Sequence, residues 1–147
     1  MADPRFIGTL SLSPYIESVN PSPYTGYDAT IAMVVDRDFG FIDSNRKEWW
    51  VRKGDITDGA NIPWIAKYII GGGFQQPYMP AAVLHDIYCR SKVRTWQDTD
   101  NMFYEAMILN GTILPKALTM WLAVYTFGPH WTMPPNQNVL PFKTIVK

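Results

Sequence analysis

Asp100 stands in the middle of an apolar helical stripe, and that placement limits what the chain can fold into. In TWQDTDNMFYEAMILN, Trp96, Phe103 and Met107 recur at helical spacing. Asp100 follows the first by four residues and precedes the second by three. Asp98, Asn101 and Glu105 take the opposite, polar face. A carboxylate on a buried stripe is costly unless it is paired or hydrogen-bonded. Some donor must therefore face Asp100 across the core.

The preceding segment, AAVLHDIYCR, supplies one. Ala81, Leu84 and Tyr88 form its apolar stripe, and His85 sits among them. The pattern predicts one helix over 80–92 and a second over 96–110. Pro80 suits a first helical turn. Thr95 is placed as an N-cap with Asp98 three residues on, and Gly111 as a stop. The link between the helices is short, so they should pack antiparallel as neighbours. At about 1.5 Å per residue, His85 and Asp100 lie roughly 9 Å and 6 Å from the turn, similar enough to meet. A third helix is expected over 115–127, ending at Gly128.

The first half reads differently. Residues 1–28 are rich in Pro, Ser and Tyr, and Pro14, Pro21 and Pro23 exclude one long helix. A short strand over 6–12 followed by an extended, Pro-rich arm is expected. ATIAMVV (29–35), FGFID and EWWVR are rich in β-branched and aromatic residues and suggest a small antiparallel β-meander. GDITDGANIPW then reads as turns. The GGG at 71–73 lacks the Lys-Ser/Thr ending of a phosphate-binding loop and reads as a flexible connection. Residues 129–147 carry further prolines and read as an irregular tail. The expectation is an arm (1–28), a single α+β domain (29–128) and a tail (129–147). The domain would be a meander followed by three helices, two of them an antiparallel pair holding a His-Asp site.

Composition narrows the function classes. A chain of 147 residues that is 47% hydrophobic is long enough for one domain with a real core. A formal net charge of zero argues against nucleic-acid binding through bulk positive charge. Cys89 is the only cysteine, which excludes an intramolecular disulfide and a Cys-based zinc cluster and points to a reducing compartment. The segment MADPRFIGTL has no basic region followed by a long apolar run, so no signal peptide is expected. The apolar stretches are too short and too interrupted to span a bilayer.

A buried carboxylate that accepts a hydrogen bond from one imidazole nitrogen fixes the tautomer and raises the ring's basicity. The other nitrogen is then available to activate water. His85 and Asp100 are the candidates for those two roles. Asp86 lies about 100° further round the helix and would not share His85's partner. Asp86, with Asp58 in the TDGAN turn, is the candidate pair for a hard cation such as calcium, whose oxygen ligands include backbone carbonyls. Each reading has a structural counterpart. A His-Asp pair can serve only to fix helix register, and Asp58 can be an Asx-turn residue. Cys89, one turn after His85, is expected as a small core residue rather than a nucleophile. His130, in GPHW, is expected in a loop.

Two resemblances rest on these residues. The ordered motifs WWV, ITDGANIPW, AAVLHD, TDNMFYEAM and VYTFG resemble a family of short proteins from tailed phages and prophages, catalogued as a domain of unknown function (DUF 1353). The likeness covers residues 48–128. Separately, HDIYCR followed by TDNMFYEAM resembles the paired helices of phospholipase A2, especially the small bacterial forms. That resemblance implies His85 as the base that activates water, Asp86 as a calcium ligand and Asp100 as the group that orients His85. Cys89 stands where the phospholipases usually have Tyr.

Together these imply a tailed-phage protein, in the virion or the host cytoplasm, with a cation-assisted hydrolase site for a lipid or envelope ester. The reading from the other class is a non-catalytic tail, neck or baseplate subunit in which the pair is structural. In that reading the N-terminal arm would order on other phage structural proteins.

Overall fold

The computed structural model describes residues 3–14, 33–57 and 77–133. They form six strands, β1 (Arg5–Ile7), β2 (Leu12–Pro14), β3 (Met33–Val35), β4 (Phe39–Ile42), β5 (Glu48–Val51) and β6 (Ile56–Thr57), followed by three helices, α1 (Met79–Ser91), α2 (Trp96–Leu109) and α3 (Leu114–Phe127). The class is α+β, as the sequence implies. The stretches 15–28 of the expected arm, 29–32 of the expected first strand, the GGG at 71–73 and 134–147 of the tail lie outside the described residues.

The strands divide between two antiparallel sheets, ordered β1-β4-β5 and β2-β3-β6, instead of joining in one meander. The expected strand over 6–12 is likewise two strands, one in each sheet. Two short crossings explain the division. Gly8 takes φ +79°, a left-handed conformation that β-branched or bulky residues rarely adopt, and it ends β1. At the second crossing Asp36 follows β3, and its carboxylate accepts from the hydroxyls of Ser11 (2.8 Å) and Ser13 (2.6 Å). Asp38 accepts from Lys53 N–H (3.0 Å) and Arg52 (3.1 Å). These polar residues fasten the corner where the chain leaves one sheet for the other.

The β4–β5 turn is built around Asp43. One carboxylate oxygen accepts from the N–H groups of Asn45 (2.8 Å) and Lys47 (2.9 Å), and the other accepts from the Trp49 indole (3.0 Å). Strand alternation then separates the two adjacent tryptophans. Trp49 is fully buried, edge-on to Tyr88 of α1 at 4.8 Å, with the Arg94 guanidinium 4.5 Å from its ring. Trp50 is half-buried and carries Arg52 over its ring at 4.9 Å. Trp50 N–H donates to the Tyr88 hydroxyl (2.8 Å), which ties β5 to α1.

The helices follow their sequence signals to within a residue. Pro80 sits in the first turn of α1, and Lys92 closes that helix in a left-handed conformation, its N–H donating to Tyr88 O. Thr95 caps α2, its hydroxyl accepting from Asp98 N–H (3.1 Å). Gly111, at φ +94°, turns the chain into α3. α1 is buried on almost every side, because it lies between the strands and α2. α2 in turn packs against both α1 and α3. Glu105 of α2 also accepts from Ser44 N–H (2.5 Å) and the Ser44 hydroxyl (3.0 Å), which anchors the second helix to the β4–β5 turn.

The inward and outward tryptophans should separate in stability. Trp49→Ala is expected to cost about 3–5 kcal/mol, the range for truncating a large core aromatic. Trp50→Ala should cost about 1 kcal/mol. Chemical denaturation followed by circular dichroism measures both, and equal losses would contradict the alternation.

Candidate functional site

α1 presents His85 and Asp86 to different neighbours, as their angular offset requires. His85 faces α2. Its Nε2 lies 2.7 Å from Asp100 Oδ1, with both side chains almost completely buried. An ionised carboxylate only accepts, so Nε2–H is the donor in this contact, and in a neutral ring Nδ1 would carry the lone pair. The Phe103 ring lies against the imidazole at 4.7 Å. The pair thus sits on the α1–α2 seam at the depth the two helix ends predict.

Nδ1 has one close polar neighbour among the described residues, the Cys89 thiol one turn along α1. Sγ is 3.7 Å from Nδ1 and 3.6 Å from Nε2. These nearly equal distances put the sulfur against the ring, out of line with the Nδ1 lone pair. Burial pushes the Cys89 thiol well up from its ordinary pKa, with the carboxylates of Asp100 and Asp86 adding to the effect. A thiol held neutral is a poor nucleophile. Cys89 therefore fills the core, as its place on an apolar face suggests.

Asp100 leaves one atom over. Its Oδ2 is buried and has no hydrogen-bond partner among the described residues.

Asp86 faces the strands. It is 1% exposed. Oδ2 accepts from the Thr57 hydroxyl of β6 (2.7 Å), and Oδ1 accepts from Arg90 Nε (3.1 Å). Thr57 is itself fully buried. Asp86 and His85 thus bind α1 on two sides, one to the strands and one to α2. The Asp86–Arg90 bond spans one helical turn, and that spacing was available in HDIYCR. Thr57 had no comparable signal. Asp58, the other candidate cation ligand, lies outside the described residues. Among the described residues no three His, Cys, Asp or Glu side chains gather closely enough to hold a metal ion.

His130 makes its contacts with Trp96 and Tyr125. It lies in the loop after α3, stacked on Trp96 at 3.7 Å, with Nε2 2.9 Å from Tyr125 O. Trp96, placed on the buried stripe by spacing, is only half-buried and belongs to this aromatic cluster with Tyr125. No helix among the described residues is long and apolar enough to cross a membrane.

Residues 33–124 match the family model described as "Protein of unknown function (DUF1353)". The chain belongs to this family. His85, Asp86, Cys89 and Asp100 all fall inside the DUF1353 match, whereas β1 and β2 precede it. Two curated relatives come from Sinorhizobium fredii. Uncharacterized protein y4iH is 44% identical over 94 residues, covering 64% of this chain and 39% of the relative. Uncharacterized protein y4jT is 39% identical over 129 residues, covering 88% of this chain and 37% of the relative. The chain thus spans less than two fifths of either relative. No solved structure matches it.

The raised thiol has a consequence with a definite sign. Below about pH 8.5, the ordinary range of a cysteine, folded and unfolded chains both keep the proton. Above it the unfolded thiol ionises while the buried one does not, so the folded state holds more protons and stability falls as pH rises. The fall attributable to this group should approach about 1.4 kcal/mol per pH unit. Denaturation midpoints between neutral and alkaline pH should show that slope, and Cys89→Ala should remove this part of it. An unchanged slope in the variant would mean that Cys89 ionises normally in the fold.

Proposed function

We propose that the protein is a hydrolase of tailed-phage origin acting on an ester of a lipid or another envelope component, with His85 as general base and Asp100 as the group that orients it. The supporting observation is the 2.7 Å contact between Nε2 and Oδ1 on an antiparallel helix pair. It leaves the Nδ1 lone pair outside that contact. The resemblance of HDIYCR and TDNMFYEAM to the helix pair of phospholipase A2 supports the choice of ester chemistry.

In this reading a water O–H gives its proton to Nδ1 while its oxygen bonds to the ester carbonyl carbon. The imidazolium is held by the Asp100 carboxylate through Nε2–H. It returns the proton to the departing alkoxide oxygen as the ester C–O bond breaks. Asp86 with Asp58 would hold calcium, which when bound would polarise the carbonyl. Both Asp86 oxygens already accept protein donors, so a cation bound there would displace Arg90 or Thr57.

A second reading draws on a different observation. His85 is 0% exposed, so an ester reaches it only if the seam opens. In a non-catalytic tail, neck or baseplate subunit, the pair would need no access and would only fix how α1 and α2 pack. Contacts with other phage proteins through residues 1–28 belong to that reading.

One set of assays separates them. Purified protein is given phospholipid vesicles and soluble short-chain esters, with calcium and with chelator. The hydrolase reading expects turnover that falls about 100- to 10,000-fold in His85→Gln. Asp100→Asn should lower kcat and shift its pH profile while leaving KM near the wild-type value. No turnover by the wild type under any of these conditions would sink the hydrolase and favour the structural subunit. Asp100→Asn would then change only the melting temperature.

A further inference from the structure

α3 packs mainly against α2, yet it is the most apolar of the three helices. Its sequence, LPKALTMWLAVYTF, holds a single charge, Lys116, and that ammonium lies 5.5 Å from the Tyr78 ring. Ala117, Met120, Ala123 and Val124 account for its buried side. Away from that side, Leu114, Leu118 and Leu122 are 54%, 46% and 58% exposed. Spaced by four, they drift only about 40° per step and form one ridge along the helix. Ile113 (68%) precedes the ridge, and Ile108 and Leu109 (39% and 41%) end α2 just before it. Half-buried Trp121 and Tyr125 flank it.

We infer that a second copy of this chain covers the outer face of α3. Three arguments select that occupant. The first is area. Side chains of this size present on the order of 200 Å² when free, so the six aliphatic residues expose roughly 600 Å². A patch that large is at the top of what a monomer leaves uncovered, and a standard stable interface buries about 800 Å² per partner. The exposed parts of Trp121 and Tyr125, which flank the ridge, would add to that area. The second is symmetry. Leu118 has a leucine four residues to either side, so an antiparallel two-fold contact centred on it sets Leu114 against the partner's Leu122, and the ridge complements itself. The third is charge. No acidic side chain lies on α3 to repel its copy, and one lysine is too little basic charge for an anionic membrane.

Sedimentation velocity on the full chain over a concentration series is the test. The wild type should sediment as a dimer at micromolar concentration. Leu118→Glu would set two carboxylates together at the two-fold axis and should weaken the dimer by at least about 30-fold, the loss expected at a central hot spot. Leu118 is half exposed, so the variant's circular dichroism and melting temperature, read as a monomer, report that α3 still folds. Leu118→Met should stay dimeric. A monomeric wild type would overturn the inference, as would a dimer unaffected by Leu118→Glu. A monomeric wild type that co-sediments with neutral lipid vesicles would overturn it in favour of a membrane surface.

Discussion

The contact between His85 and Asp100 sets conditions that much of the helical half must satisfy. A carboxylate cannot sit between two packed helices unless a donor meets it there. A slide of α1 by one turn would set Ala81 or Cys89 where His85 meets Asp100. The pair therefore selects one register from the several that ridge-and-groove packing would allow. The short link from Ser91 to Trp96 and the Thr95 cap bring the two helix ends to similar depth. Phe103 then fills the space beside the imidazole. Packing and polar pairing agree at this seam, which is what a single well-defined arrangement requires.

The neighbouring carboxylate performs a different job a quarter-turn or so away. Asp86 ties α1 to β6 through Thr57 and closes on its own helix through Arg90. α1 is consequently held on both sides by buried polar contacts, with Tyr88 adding a third link to β5 through Trp50 N–H. A helix fixed in this way is a rigid mount for His85. Rigidity favours a catalytic group whose lone pair must point in one direction. It equally suits a subunit whose helices must not slide. Activity assays distinguish the two, because the same bonds serve both.

The helical half was legible because its signals are local. Pro80, Thr95, Gly111 and Gly128 mark ends by backbone chemistry that operates within a few residues, and the observed bounds lie within two residues of those marks. The His85–Asp100 contact was legible because two helices joined by a short link leave little choice of partner. The strands were less so. Whether β3 continues into the sheet of β4 or leaves it depends on Ser11 and Ser13 meeting Asp36, a contact between residues 25 and 23 apart in sequence. No periodicity reports such a pairing. Trp96 misled for a related reason. Spacing put it on the buried stripe, but it is only half-buried and stacks with His130, which lies 34 residues further on.

The same distinction bears on what the buried pair is for. A contact that only fixes register needs each of its polar atoms matched, since an unmatched buried acceptor works against the stability the contact is meant to supply. Among the described residues one oxygen of Asp100 is matched and the other is not. Asp86, on the same helix and just as buried, shows the alternative, with protein donors on both oxygens. Among the described residues, Asp86 is thus completed and Asp100 Oδ2 is open to a further donor. A donor that meets Oδ2 would complete a register-fixing pair, whereas a base needs only that Asp100 hold Nε2–H, so the two readings part at this oxygen.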